Sequence, residues 1–175
     1  MEVIVLMDGS VSIDTDGFEV MKAHVHRFFA TILFDDAYTY LMQFGSSVAV
    51  MWEWQIYETA LRDMLLGSAQ IGGNTNTFAA ISQAIEAFTK SPRTGYTRYL
   101  YLVTHGYPEG SDVCELNSML ALHNIRLIVT IVGNYDLESF FICISADIIT
   151  EPDSLQLTNA ESQLLPIFRK QSFSP

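Results

Sequence analysis

The stretch Val3-Ile4-Val5-Leu6-Met7-Asp8-Gly9-Ser10-Val11-Ser12 decides how the rest of the chain is read. A short unbroken apolar run, Val3 to Met7, is the pattern of a strand buried on both faces. It runs straight into Asp-x-Ser-x-Ser, which places hard oxygen donors on one tight loop, with Gly9 letting the backbone turn closely. The same run-then-loop pattern recurs downstream. Tyr99 to Val103 is a second buried strand and leads into Thr104-His105-Gly106-Tyr107. Ile125 to Val132 is a third, and a strand near Asp147 to Ile149 a fourth.

Helix-like periods separate these strands. Phe18, Met21, Val25, Phe28, Phe29 and Ile32 recur at helical spacing, as do Phe78, Ile81, Ile85 and Phe88. Helices are also expected over Tyr57 to Leu66, Cys114 to His123, Leu137 to Cys143 and Asn159 to Lys170. Tyr40 to Phe44 and Val48 to Trp54, joined by Gly45-Ser46-Ser47, read as an antiparallel hairpin. Trp52 and Trp54 alternate along that strand and are expected on one side of it. Pro166 falls where the last helix should run, so that helix is expected to kink, end, or start anew with Pro166 in its first turn. Strands alternating with helices predict an α/β fold with a mostly parallel sheet and helices on both faces. The 175 residues are expected to form one domain. Ligands of such folds sit beyond the carboxyl ends of the strands.

Composition narrows the function. The net charge is −11, with 9 Lys plus Arg against 20 Asp plus Glu. This argues against a nucleic-acid partner, because phosphate contacts need clustered cations. A hydrophobic share of 49% is enough for a real core and excludes an acidic disordered chain. No apolar run reaches the roughly 18–20 residues of a membrane span, so no membrane insertion is expected. Met1-Glu2 and the short Val3–Met7 run do not make a secretory signal. Cys114 and Cys143 either pair in an oxidising compartment or stay as two buried thiols. No Asn-x-Ser/Thr acceptor occurs.

Three loops carry candidate chemistry: Asp8 to Ser12, Gly73-Asn74-Thr75-Asn76-Thr77, and Thr104-His105-Gly106. In this order they resemble the three loops of a von Willebrand factor A domain, closest in style to the integrin inserted domain. The resemblance covers essentially the whole chain. It implies a doubly wound sheet with one antiparallel edge strand and a metal-ion-dependent adhesion site at the top of the sheet. It implies Asp8, Ser10, Ser12 and Thr75 as the ligand set, with Asp8 acting through water. That oxygen set suits Mg²⁺ or Mn²⁺. An open position would take an acidic group from a protein partner.

His105 stands where the family normally has Asp, leaving one carboxylate instead of two. Three readings follow: a weakened Mg²⁺ site, a site for a softer metal such as Zn²⁺, or a retired site with His105 filling the vacancy. Asn74, Asn76, Tyr107, Glu109 and Asp112 would form the ligand-binding rim. Glu109 and Asp112 are read as solvated loop acids rather than replacement ligands.

The resemblance also implies a non-catalytic adhesion or protein-binding module, in an extracellular or cell-surface setting. The alternatives are a metal-free interaction scaffold and, behind it, a metal-dependent hydrolase. The hydrolase reading needs a second acid beside Asp8 and a Lys for phosphate; position 10 is Ser, and no Lys follows the later strands. An EF-hand through Asp14-Thr15-Asp16-Gly17 fails, because its twelfth position is Ala23 where a bidentate Glu is needed. Asp14 and Asp16 are expected as acids at a helix N-terminus. His24, His26 and His123 are expected at helix surfaces and ends.

Overall fold

In a computed structural model of the chain, residues 1–33, 36–109, 111–133, 138–151, 153 and 156–169 are described. The elements follow in order as β1 (Glu2–Asp8), α1 (Thr15–Arg27), β2 (Tyr38–Phe44), β3 (Val48–Ile56), α2 (Thr59–Leu66) and α3 (Thr77–Thr89). Then come β4 (Arg98–Thr104), α4 (Asn117–Leu122), β5 (Ile125–Val132), α5 (Glu138–Phe141), β6 (Ala146–Glu151) and α6 (Leu157–Arg169). A π-helical segment, Phe28–Ile32, extends α1, and a 3-10 turn, Val113–Leu116, precedes α4.

The six strands form one sheet in the order β3-β2-β1-β4-β5-β6, with β3 as its antiparallel edge. All other neighbours pair parallel. Every residue of β1 is buried, as its unbroken apolar run requires of a central strand. Val3, Val5 and Met7 pack beneath α1, α2 and α6, while Ile4 and Leu6 face α3, α4 and α5. The architecture is therefore a doubly wound α/β sheet with helices on both faces. From β1 the chain builds outward through β2 and β3, and later through β4, β5 and β6. The order reverses between β1 and β4, so a crevice is expected where Asp8 and Thr104 end those two strands.

Local chemistry sets the helix starts. Asp14 Oδ1 accepts the Gly17 N–H at 2.7 Å and caps α1, with Asp16 in its first turn. The helix expected over Leu137 to Cys143 is α5; Leu137 itself lies outside the described residues, as does Lys170 beyond α6.

Two expectations, for the tryptophans and His24, need correction, and two sets of open alternatives narrow. Trp52 and Trp54 face opposite sides of the sheet: Trp52 packs against Phe29 and Tyr57, and Trp54 against Tyr40 and Phe88. The cause is an irregular β2–β3 ladder, in which Thr39 pairs with Gln55 but Leu41 with Trp52. The extra residue on β3 between those pairs breaks the two-residue alternation. Pro166 lies inside α6, which neither ends there nor starts anew. Leu164 and Phe168 are fully buried on either side of it, and the Phe168 ring sits 4.7 Å from Tyr99 and 5.3 Å from Phe28. That packing holds the helix past the N–H that Pro166 cannot supply.

His24 is not at a helix surface but fully buried. Its Nε2 meets the Tyr101 hydroxyl at 2.7 Å, which meets Thr130 Oγ1 at 2.9 Å. Of the two alternatives for Cys114 and Cys143, the structure has the disulfide, across Cα atoms 5.5 Å apart, joining the 3-10 turn to the segment after α5. Among the described residues no helix is long and apolar enough to cross a membrane.

Candidate functional site

Asp8 closes β1 and is fully buried. A buried carboxylate is costly unless donors surround it, and this one has three. Oδ1 accepts the Ser10 N–H at 2.8 Å; Oδ2 accepts the Thr104 hydroxyl at 2.9 Å and the His105 N–H at 3.1 Å. Asp8 thus clamps the first loop to the third across the β1–β4 crevice.

Above it, three hydroxyls from two loops converge. Ser10 Oγ lies 2.8 Å from Ser12 Oγ and accepts from Thr75 Oγ1 at 3.0 Å. Ser10 and Thr75 are buried and Ser12 is exposed, so the cluster opens to solvent on one side. Gly106 walls it: a Cβ there would lie 2.5 Å from Thr75 Oγ1 and 2.8 Å from Ser12 Oγ. Gly106→Ala is therefore expected to fold with a loss of about 1–2 kcal/mol, which urea unfolding checks.

Side chains outside the three motifs sew the segment before the second loop to β2, to the first loop and to α1. The Gln43 amide accepts the Ile71 N–H at 2.7 Å and donates to the Ala69 carbonyl at 3.2 Å. Gln70 Nε2 donates to the carbonyls of Ser10 and Ile13, at 2.6 and 3.0 Å. Lys22, almost fully buried, donates to Leu66 O and Ser68 O at 2.9 and 3.0 Å, capping the C-terminus of α2. Gly72 and Gly73 take φ of +77° and +78°, the left-handed turn that brings Thr75 over Ser10. Thr104 stood inside a noted motif, but its role as a partner of Asp8 appears only once β1 and β4 pair. Gln43 had one available signal: an amide at the carboxyl end of an otherwise apolar strand, beside the expected site.

The rim residues separate. Asn74, Tyr107, Glu109 and Asp112 are exposed. Asn76 instead caps α3, its Oδ1 accepting the Ala79 N–H at 3.1 Å. The Glu109 N–H donates to Thr75 O at 2.7 Å, tying the third loop to the second. His105 is half-buried, its backbone N–H committed to Asp8.

The donor chemistry fits a hard divalent cation: three hydroxyl oxygens over a carboxylate that keeps about one acceptor site beyond its three accepted bonds. It offers only one carboxylate. Among the described residues, one trio of His, Cys, Asp or Glu ligand atoms lies within 4.8 Å of one another: Asp112, Cys114 and Cys143. Its sulfurs are consumed by the disulfide, so with that bond closed it is no metal site. Neither Glu109 nor Asp112 completes a trio with Asp8 and His105.

Residues 2–163 match the family model described as the von Willebrand factor type A domain. No curated protein sequence matches. Among solved structures, proximal thread matrix protein 1 from the mussel byssus superposes with a TM-score of 0.85 at 16% identity, over 95% of this chain and 47% of that one. This chain thus spans about half the length of that protein. A structure of the same mussel protein described as having a zinc-occupied MIDAS motif gives a TM-score of 0.84 at 16% identity, over 95% and 47%. The SpRpn10 VWA domain gives 0.80 at 16% identity, over 95% of each chain.

Proposed function

The chain belongs to the von Willebrand factor type A family, a family of protein-interaction modules, and from that membership we propose that it binds a protein partner through a divalent-cation site at the top of its sheet. One observation carries the reading: the Ser10, Ser12 and Thr75 hydroxyls converge above the buried Asp8 carboxylate, with Gly106 keeping the space beside them clear. Ser10, Ser12 and Thr75 would hold Mg²⁺ or Mn²⁺ directly, and Asp8 would act through water. The cation supplies local positive charge, which lets an acidic domain accept an acidic side chain from its partner. The chain's own part is positional. Asp8 holds the first and third loops together, Gln70 holds the second against the first, Gln43 ties the second to the end of β2, and the donors stand in place before any ligand arrives.

His105 tunes the site downward. A single carboxylate gives a hard cation less charge than the two the family normally provides. Calorimetric titration of chelator-stripped protein with Mg²⁺, Mn²⁺ and Zn²⁺ tests this. The expected result is weak Mg²⁺ or Mn²⁺ binding, lost in Asp8→Asn and strengthened about tenfold or more in His105→Asp. Silence with every metal, together with Mg²⁺ binding gained in His105→Asp, would instead identify a metal-free interaction scaffold. Binding of Zn²⁺ alone would make His105 a ligand, a reading favoured by the zinc described in the mussel neighbour.

The Cys114–Cys143 disulfide supports placing the protein in an oxidising, extracellular or cell-surface setting.

A further inference from the structure

The 3-10 turn and the segment after α5 bring three metal-ligand side chains to one place. Asp112, Cys114 and Cys143 each offer a ligand atom, and these atoms lie within 4.8 Å of one another. Asp112 Oδ1 accepts the Cys114 N–H at 2.9 Å, which holds the carboxylate beside that cysteine. A ligating carboxylate oriented by such a bond is the usual arrangement in metal sites; its second oxygen, Oδ2, is the one a metal would take. Asp112 is exposed, and both cysteines are partly open to solvent. Asp112 and Cys114 border a cleft of about 350 Å³, which Ser111 and Ser139 also line, so an ion has a polar way in.

The disulfide is not the only thing that keeps these groups together. Val113 and Leu116 flank Cys114, Phe141 and Ile144 flank Cys143, and all four are buried in the core shared by Ile4, Leu6 and α3. That burial holds the two segments side by side when the bond is open. Charge favours a cation there: residues 99–125 contain Glu109, Asp112 and Glu115 but no Lys or Arg. Two thiolates and a carboxylate suit Zn²⁺ and not Mg²⁺ or Mn²⁺. Zinc bonds of about 2.3 Å to sulfur and about 2.0–2.2 Å to oxygen set tetrahedral donors roughly 3.5–4 Å apart. Once the sulfur–sulfur bond is broken, side-chain rotation brings the sulfurs to that separation with the Cα atoms left 5.5 Å apart.

We infer that reduction of the Cys114–Cys143 disulfide creates a zinc site, in which both thiolates and the Asp112 carboxylate bind the metal and water takes the fourth position. The opening is a two-electron exchange. A dithiol reductant attacks one sulfur, passes through a mixed disulfide and ends as its own disulfide, and its two protons pass to Cys114 and Cys143. Zn²⁺ then displaces both thiol protons to solvent. Disulfide and zinc are thus alternative staples between the third loop and the segment after α5, selected by the redox state. The site uses none of the residues of the cation site proposed above and stands or falls apart from it.

The test reduces the full chain with a trialkylphosphine, which takes its oxygen from water to become the oxide, and titrates it anaerobically with Zn²⁺ and Co²⁺. One metal per chain is expected, bound at least about a hundredfold more tightly than by the oxidised chain. Co²⁺ should give a near-ultraviolet thiolate-to-metal charge-transfer band. The hydroxyl cluster has no sulfur and cannot produce that band, so the two sites are told apart. Cys114→Ser and Cys143→Ser should each weaken zinc at least about a hundredfold. Asp112→Asn keeps the turn cap, since Asn accepts the same bond, and should weaken zinc at least about tenfold.

No charge-transfer band, a band that needs two chains per metal, or full-strength binding in Cys143→Ser or Asp112→Asn would overturn the assignment. So would a reduced chain whose ¹⁵N NMR spectrum loses its native dispersion and does not regain it with Zn²⁺, because the core would then not hold the ligands in place.

Discussion

Asp8→Ala is expected to lower stability by about 3–5 kcal/mol as well as abolish the proposed cation binding. Three buried donors lose their acceptor: the Ser10 N–H, the Thr104 hydroxyl and the His105 N–H. Each orphaned group costs about 1–3 kcal/mol, with some relief as the loops relax. For a domain of this size the melting point should fall by about 10 °C or more. Asp8→Asn separates the two roles. It retains one carbonyl acceptor, and the Thr104 hydroxyl can rotate to accept from the new amide. Its stability should therefore fall by less, while cation binding is still lost with the charge. Urea unfolding and calorimetry on both variants provide the check. Equal urea midpoints for Asp8→Ala and wild type would show that the carboxylate does not clamp the loops.

The second large effect is one of pH, and it centres on His24. Burial between α1, the sheet and α6 lowers its pKa from 6.5 to about 4, and the neighbouring Arg27 pushes in the same direction. Glu161 Oε1 lies 3.9 Å from His24 Nδ1 and is itself bonded to Arg27 at 2.5 Å, so much of its charge is already committed. Tyr101 also faces His24, and burial raises its pKa, which keeps the phenol neutral. Between pH 6.5 and about 4 the unfolded chain holds a proton on this residue that the native state does not. Stability is therefore complete above pH 6.5 and falls as pH drops toward 4.

From pH 7.5 to 4.5 the loss from this residue should be about 2–3 kcal/mol. Carboxylates titrate in the same range, so the measurement is a comparison of urea midpoints against His24→Gln. That variant keeps a polar partner for Tyr101 and removes the proton site. A clearly flatter pH profile in His24→Gln is expected; parallel profiles would mean that the native protein accommodates the imidazolium.

The two predictions differ in how far they could be read from the chain. Asp8 was legible because its signal is local: a buried apolar run, then a short acid at its end. The same holds for the strands, the hairpin and the helix-starting acids Asp14 and Asp16, each encoded within a few residues. Burial of His24 was not legible. The helical period placed Met21, Val25 and Phe28 on the core face, but a histidine on that face is stable only if a partner awaits it. That partner is Tyr101, on a strand 77 residues away. Trp52 and Trp54 misled for a related reason. Alternation is a property of a regular strand, whereas the extra residue in β3 is defined only against its pairing with β2.

By itself, then, the sequence determined the α/β class and the three hydroxyl-bearing loops, because periodicity and loop chemistry are short-range. Tertiary structure decided what those loops become. Asp8 receives Thr104 and His105 from 96 and 97 residues away, and Thr75 reaches Ser10 across 65. It also paired the cysteines and carried α6 through Pro166. The reason is common to all of these. A buried polar group, a bridge or a cavity wall is stable only when its partner arrives from elsewhere in the chain, and only the packed sheet and helices bring that partner into place.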